Sequence, residues 1–131
     1  MTVHYLSGEE ILVAGSIASG FTLTVGEPAQ FEANVARPAT SMFGEDAFPD
    51  LWTKAAALLH AFATTQTLLD GNKRTAWAAA WTFLIFNGEV PLWWSAKLMD
   101  AYAERFMLQV AAGDLTVEQI ATRLHEQAPR Y

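Results

Sequence analysis

Between Lys73-Arg74 and Asn87-Gly88 runs a segment, Ala76 to Phe86, that is apolar at every position except Thr82. A helix apolar on nearly all its faces has no side left for water, so it belongs at the centre of a fold with other helices packed around it. The run is far short of the roughly 20 residues that a bilayer span requires. The expectation is a buried central helix in a water-exposed protein. The rest of the chain can supply the packing, because 52% of its 131 residues are hydrophobic and only 17% charged. That balance excludes intrinsic disorder, and the length suits one domain that buries roughly two-thirds of its unfolded surface.

The flanking sequence reads as helices joined by short connections. Ser7-Gly8-Glu9-Glu10 has the form of a capping box, followed by Ile11, Leu12, Val13 and Ile17 and closed by Gly20. Phe21 to Val25 is rich in β-formers but isolated, and is read as a strand-like arm. Pro28 opens a short helix that Arg37-Pro38 closes. A loop over Ala39 to Pro49 leads to a long helix from about Asp50 to Leu68, whose core stripe is Leu51, Ala55, Leu58, Leu59 and Phe62. The central helix from Asn72 stops at Gly88. Ser95 is the expected cap of a helix through Leu98, Tyr102, Phe106 and Val110. Thr116 to Gln119 forms a second capping box that starts a last helix ending near Gln127. The predicted architecture is all-α: a single-domain bundle of about six helices over residues 1–131, with the arm as its one extended element.

Charge and composition narrow the function. The formal net charge of −6 disfavours direct nucleic-acid binding, which needs cations to displace counterions, and disfavours anionic membranes. With no cysteine, thiolate metal sites and a cysteine nucleophile are excluded. Met1 to Ser7 shows no basic region leading an apolar one, so the expected location is cytoplasmic. His4, His60 and His125 show no ligand spacing. Read as one helix at about 100° per residue, His60 and Gln66 lie roughly 240° apart and do not share a face.

Asp70-Gly71-Asn72-Lys73-Arg74-Thr75 breaks a local rule. A helix N-terminus carries partial positive charge and favours anions, yet here two cations occupy its first turn. An anion docked there, with phosphate the obvious one, would meet free N–H groups, the dipole, an ammonium and a guanidinium together. The same residues also read as an ordinary Asp-Gly turn, an Asn cap and a solvated Lys-Arg corner. No Walker loop is present.

The stretch Gln66-Thr67-Leu68-Leu69-Asp70-Gly71-Asn72-Lys73-Arg74 resembles the Fic/Doc motif, His-Pro-Phe-x-Asp/Glu-Gly/Ala-Asn-Gly/Lys-Arg. Lys73 points to the Doc branch, toxins of Phd–Doc toxin–antitoxin modules of bacteria and phages. Ala36-Arg37-Pro38, Phe43-Gly44-Glu45-Asp46, Pro49, the Ala-rich helix from Lys54, Phe83-Leu84, Asn87-Gly88 and Ala111-Ala112-Gly113 are similar too, so the likeness spans about residues 3–127. The resemblance implies ATP and Mg²⁺ as cofactors and phosphate transfer to a hydroxyl of a translation factor, elongation factor Tu in Doc proteins. It implies that Asp70 holds Mg²⁺, that Gly71 and Asn72 donate to phosphate, and that Lys73 and Arg74 neutralise its charge. It also implies a Phd-like antitoxin whose disordered C-terminal segment folds onto the toxin. Transfer of AMP, as in most Fic proteins, is the alternative chemistry.

Departures from the motif bear on catalysis. Gln66 stands where the family has its histidine base, and Thr67 and Leu68 replace Pro and Phe. Glutamine takes no proton near neutral pH, and general-base catalysis is typically worth about 10²- to 10⁴-fold. Phosphoryl transfer is often loose enough to proceed without early deprotonation. Impaired catalysis and a catalytically inactive nucleotide- or protein-binding module are both compatible with Gln66. Ala14-Gly15 stands where Doc proteins commonly carry His-Asp.

Overall fold

Capping chemistry sets the helix starts. The structure, a computed structural model, describes residues 2–96 and 99–129. Among these residues the chain forms α1 (Gly8–Ser19), α2 (Pro28–Ala36), α3 (Leu51–Ala63), α4 (Asn72–Phe86), α5 (Ala101–Ala111) and α6 (Val117–Gln127). Two 3₁₀ turns, Arg37–Ala39 and Leu92–Ala96, and two short strands, β1 (Ser41–Met42) and β2 (Glu45–Asp46), complete them. Ser7 and Thr116 each cap through a reciprocal capping box, as their spacing predicts. Gly20 and Gly88 take the left-handed conformation where α1 and α4 stop. The all-α reading holds.

The structure departs from the sequence reading in four places. The helix expected to reach Leu68 ends at Ala63. There the Thr64 and Thr65 hydroxyls donate to the His60 and Ala61 carbonyls, and the chain leaves the helix. The helical angle between His60 and Gln66 therefore has no meaning: His60 is on α3 and Gln66 is in the following loop. The Ala39–Pro49 loop contains an antiparallel hairpin, with Ser41 opposite Asp46 and Met42 opposite Glu45. Asp100, not Ser95, caps α5, its carboxylate accepting from the Ala103 N–H at 2.8 Å, while the backbone at 92–96 is a 3₁₀ turn. Leu98 lies outside the described residues, and Tyr102 is exposed, so the buried stripe of α5 is Ala103, Phe106, Met107 and Val110.

The apolar run over Ala76 to Phe86 forms the centre, as its composition requires. α4 packs against α3 and against α1, and α6 covers α3. Ala76, Ala79, Ala80, Phe83 and Leu84 are fully enclosed. Trp77 and Trp81 are buried edge to face at 5.7 Å, and Trp81 meets Trp94 at 5.5 Å. α1 lies so close that a Cβ on Gly15 would fall 2.4 Å from the Thr75 hydroxyl. Glycine there sets the α1–α4 separation and hence where α4 begins relative to the arm.

One buried charge escapes the hydrophobic pattern. Lys54 is only 2% exposed. Its ammonium donates to Asp46 Oδ2 at 3.0 Å and to the Phe48 carbonyl, tying the hairpin to α3. Burying an ammonium is tolerated only with such partners.

Candidate functional site

The first turn of α4 meets the end of the preceding loop in a cleft of about 660 Å³. Gln66, Asp70, Gly71, Asn72, Lys73 and Arg74, the six residues singled out in the sequence, all line it. They converge because the loop is held from both sides. On one side the arm pairs with it: Val25 bridges Leu68. The Leu69 N–H donates to the Thr24 carbonyl at 3.0 Å and the Gly26 N–H to the Thr67 carbonyl at 2.8 Å. The strand-like arm is thus a single bridge onto the motif loop.

On the other side Asn72, nearly buried, clasps the loop with its carboxamide. Its oxygen accepts from the Leu68 N–H at 3.0 Å, and its nitrogen donates to the Leu68 carbonyl at 2.9 Å and to Gln66 Oε1 at 3.2 Å. Its side chain is therefore committed to holding the loop. What Asn72 offers the cleft is its place on the cleft wall and its backbone N–H. A third tie comes from α2, where Asn34 donates to the Thr65 hydroxyl at 2.8 Å.

Gly71 adopts φ 81°, and α4 has no capping side chain. A side chain at Gly71 would be strained there and would approach Ser19 Oγ to 2.9 Å. Among the described residues the N–H groups of Asn72, Lys73 and Arg74 have no acceptor, since the first helical bond runs from Thr75 to the Gly71 carbonyl. Lys73 and Arg74 are exposed, and no carboxylate of the described residues lies within ion-pair distance of either. Free donors, a helix dipole and two cations are an arrangement that can receive an anion.

Asp70 is exposed, and its Oδ1 accepts from the Gly71 N–H at 2.8 Å, leaving Oδ2 available. Among the described residues no group of three or more His, Asp or Glu side chains is placed to cage a metal ion. A single carboxylate beside a phosphate site suits Mg²⁺, which keeps much of its water and binds through one or two carboxylates plus phosphate oxygens. The donor set present fits a magnesium-bound polyphosphate.

Sequence reasoning missed the far wall. Phe21, Leu69, Met99, Glu104, Leu108 and Ala111 also line the cleft. Leu108 is 58% exposed and out of phase with the buried face of α5, which was a readable signal. Glu104 carried none. His60 stays outside the lining: its Nδ1 accepts from the Arg37 guanidinium at 2.7 Å. Burial, and next the Arg37 charge, hold it below the ordinary imidazole value.

Comparison with known proteins gives the family. Residues 7–84 match the Fic/DOC family. The protein named Toxin Doc from Mycolicibacterium smegmatis is 50% identical over 121 residues, which cover 92% of this chain and 91% of that protein.

Proposed function

The chain belongs to the Fic/DOC family, and from that premise we propose that it is the toxin of a toxin–antitoxin module, a Doc-like phosphotransferase that moves phosphate from ATP to a hydroxyl of a translation factor such as elongation factor Tu. The observation that carries this reading is the uncapped start of α4, where three N–H groups, Lys73 and Arg74, all without partners among the described residues, face one cleft. Half the residues are shared with a protein that bears the toxin name, over nearly the whole of both chains.

Bound Mg-ATP supplies the electrophilic phosphorus and a divalent cation that offsets its charge. The N–H groups of α4 and the two cations orient the polyphosphate and neutralise it, and Asp70 holds the cation. Positioning and charge stabilisation supply most of the catalysis in phosphoryl transfer. Among the described residues no imidazole lines the cleft to take the hydroxyl proton, so turnover is slow. A Phd-like antitoxin completes the module through a disordered C-terminal segment that folds onto this chain, and both act in the cytoplasm.

One observation favours a second reading. Gln66 takes up no proton at neutral pH, and a chain keeping the anion site without the chemistry would act by binding alone. Incubation with α-labelled and, separately, γ-labelled ATP in a bacterial lysate decides between them. Protein-bound γ label alone is the expected result. Protein-bound α label means AMP transfer. Neither label, with nucleotide binding retained, means a non-catalytic module.

A further inference from the structure

We propose that Gln66 faces the cleft as a hydrogen-bond donor to a phosphoryl oxygen, with its polarity dictated by Asn72, and does not substitute for a base. The proposal rests on the phosphate-binding reading above. The Leu68 N–H can only donate, and the Asn72 carboxamide atom 3.0 Å from it must be the oxygen. The Leu68 carbonyl can only accept, so the atom 2.9 Å from it must be the Asn72 nitrogen. Two backbone groups of opposite character thus fix the same orientation.

That nitrogen is also 3.2 Å from Gln66, so the Gln66 atom it meets is the oxygen Oε1. Among the described residues the Gln66 nitrogen, with its two hydrogens, meets no acceptor. The side chain is exposed and lines the cleft together with Lys73 and Arg74. Asn72 is only 9% exposed, and its two backbone partners pin it, so water cannot easily turn the relay around. The group at position 66 therefore adds donors beside the free N–H groups, Lys73 and Arg74, in a cleft whose carboxylates are Asp70 and Glu104. Such donors complement phosphate oxygens, and the carboxamide takes no proton from a hydroxyl.

The test is calorimetric binding of metal-free pyrophosphate, and of Mg-ATP, to the wild type, Gln66→Ala and Gln66→Glu. A carboxylate at 66 can accept the same Asn72 hydrogen bond but presents oxygen where glutamine presents N–H. Metal-free pyrophosphate prevents a new carboxylate from recruiting Mg²⁺ and masking the result. Gln66→Ala is expected to bind pyrophosphate about tenfold more weakly, as for a lost hydrogen bond to a charged group, and Gln66→Glu more weakly still. Gln66→Glu binding as tightly as Gln66→Ala, or Gln66→Ala binding like the wild type, overturns the proposal while leaving the phosphate site intact. A wild type that binds neither pyrophosphate nor Mg-ATP overturns the functional reading as well. Far-UV circular dichroism confirms folding, which an exposed loop position should leave unchanged.

Discussion

Asn72 and Arg74 lie two positions apart on one helical turn, yet their removal should register in different experiments. Arg74 is exposed and has no carboxylate partner among the described residues. Arg74→Ala should leave the thermal midpoint nearly unchanged and weaken Mg-ATP binding about tenfold or more, through loss of charge-assisted hydrogen bonds. Asn72→Ala should cost about 1–3 kcal/mol in a urea titration, because the buried Leu68 N–H loses its acceptor. Equal destabilisation by the two changes would contradict the geometry. At this scale the sequence was legible where side chains meet solvent or ligand, as with Lys73 and Arg74. It was silent where a polar group is buried with remote partners. Lys54 lies on the core side of α3, where a hydrophobic pattern admits no ammonium, and Asp46 and the Phe48 carbonyl make the position tolerable.

At the scale of elements, the approach of α1 to α4 sets the alignment of the site. Gly15 faces the buried Thr75, and a methyl group there must push the helices apart. Gly15→Ala should destabilise by about 1–3 kcal/mol, the range typical of overpacking. Thr75→Ala in the same chain should recover part of that loss, read as non-additivity in denaturant midpoints. Additive effects would mean the two residues do not meet. Helix starts and stops were legible because capping boxes and left-handed glycines are local devices. The end of α3 was not, because neither glycine nor proline marks it: Thr64, Thr65, Gln66 and Thr67 follow Ala63 directly. What stops it is partly non-local: the arm and Asn72 take the backbone groups of residues 67–69 that a longer helix would have used.

For the whole molecule, acidity should weaken the fold through His60. Its folded-state value lies below 6.5 because of burial and the Arg37 guanidinium beside it. In the unfolded chain the imidazole protonates near its ordinary value, so below that pH the unfolded state binds more protons and is favoured. The stability linked to His60 is thus complete above about pH 6.5 and declines as pH falls from there toward the depressed folded value. His60→Gln should flatten the thermal midpoint over that window relative to the wild type. An unchanged slope would show that His60 does not titrate with folding.

The junction of Val25 with Leu68 joins segments far apart along the polypeptide. α3 and α4 can each wind up from neighbouring residues, but the loop between them acquires its shape only when the amino-terminal stretch has come back to meet it. Contacts of such long sequence separation carry the entropy of closing a large ring. Helical content can therefore mature ahead of the cleft, and a newly made chain can be well folded by spectroscopy before it can hold a ligand.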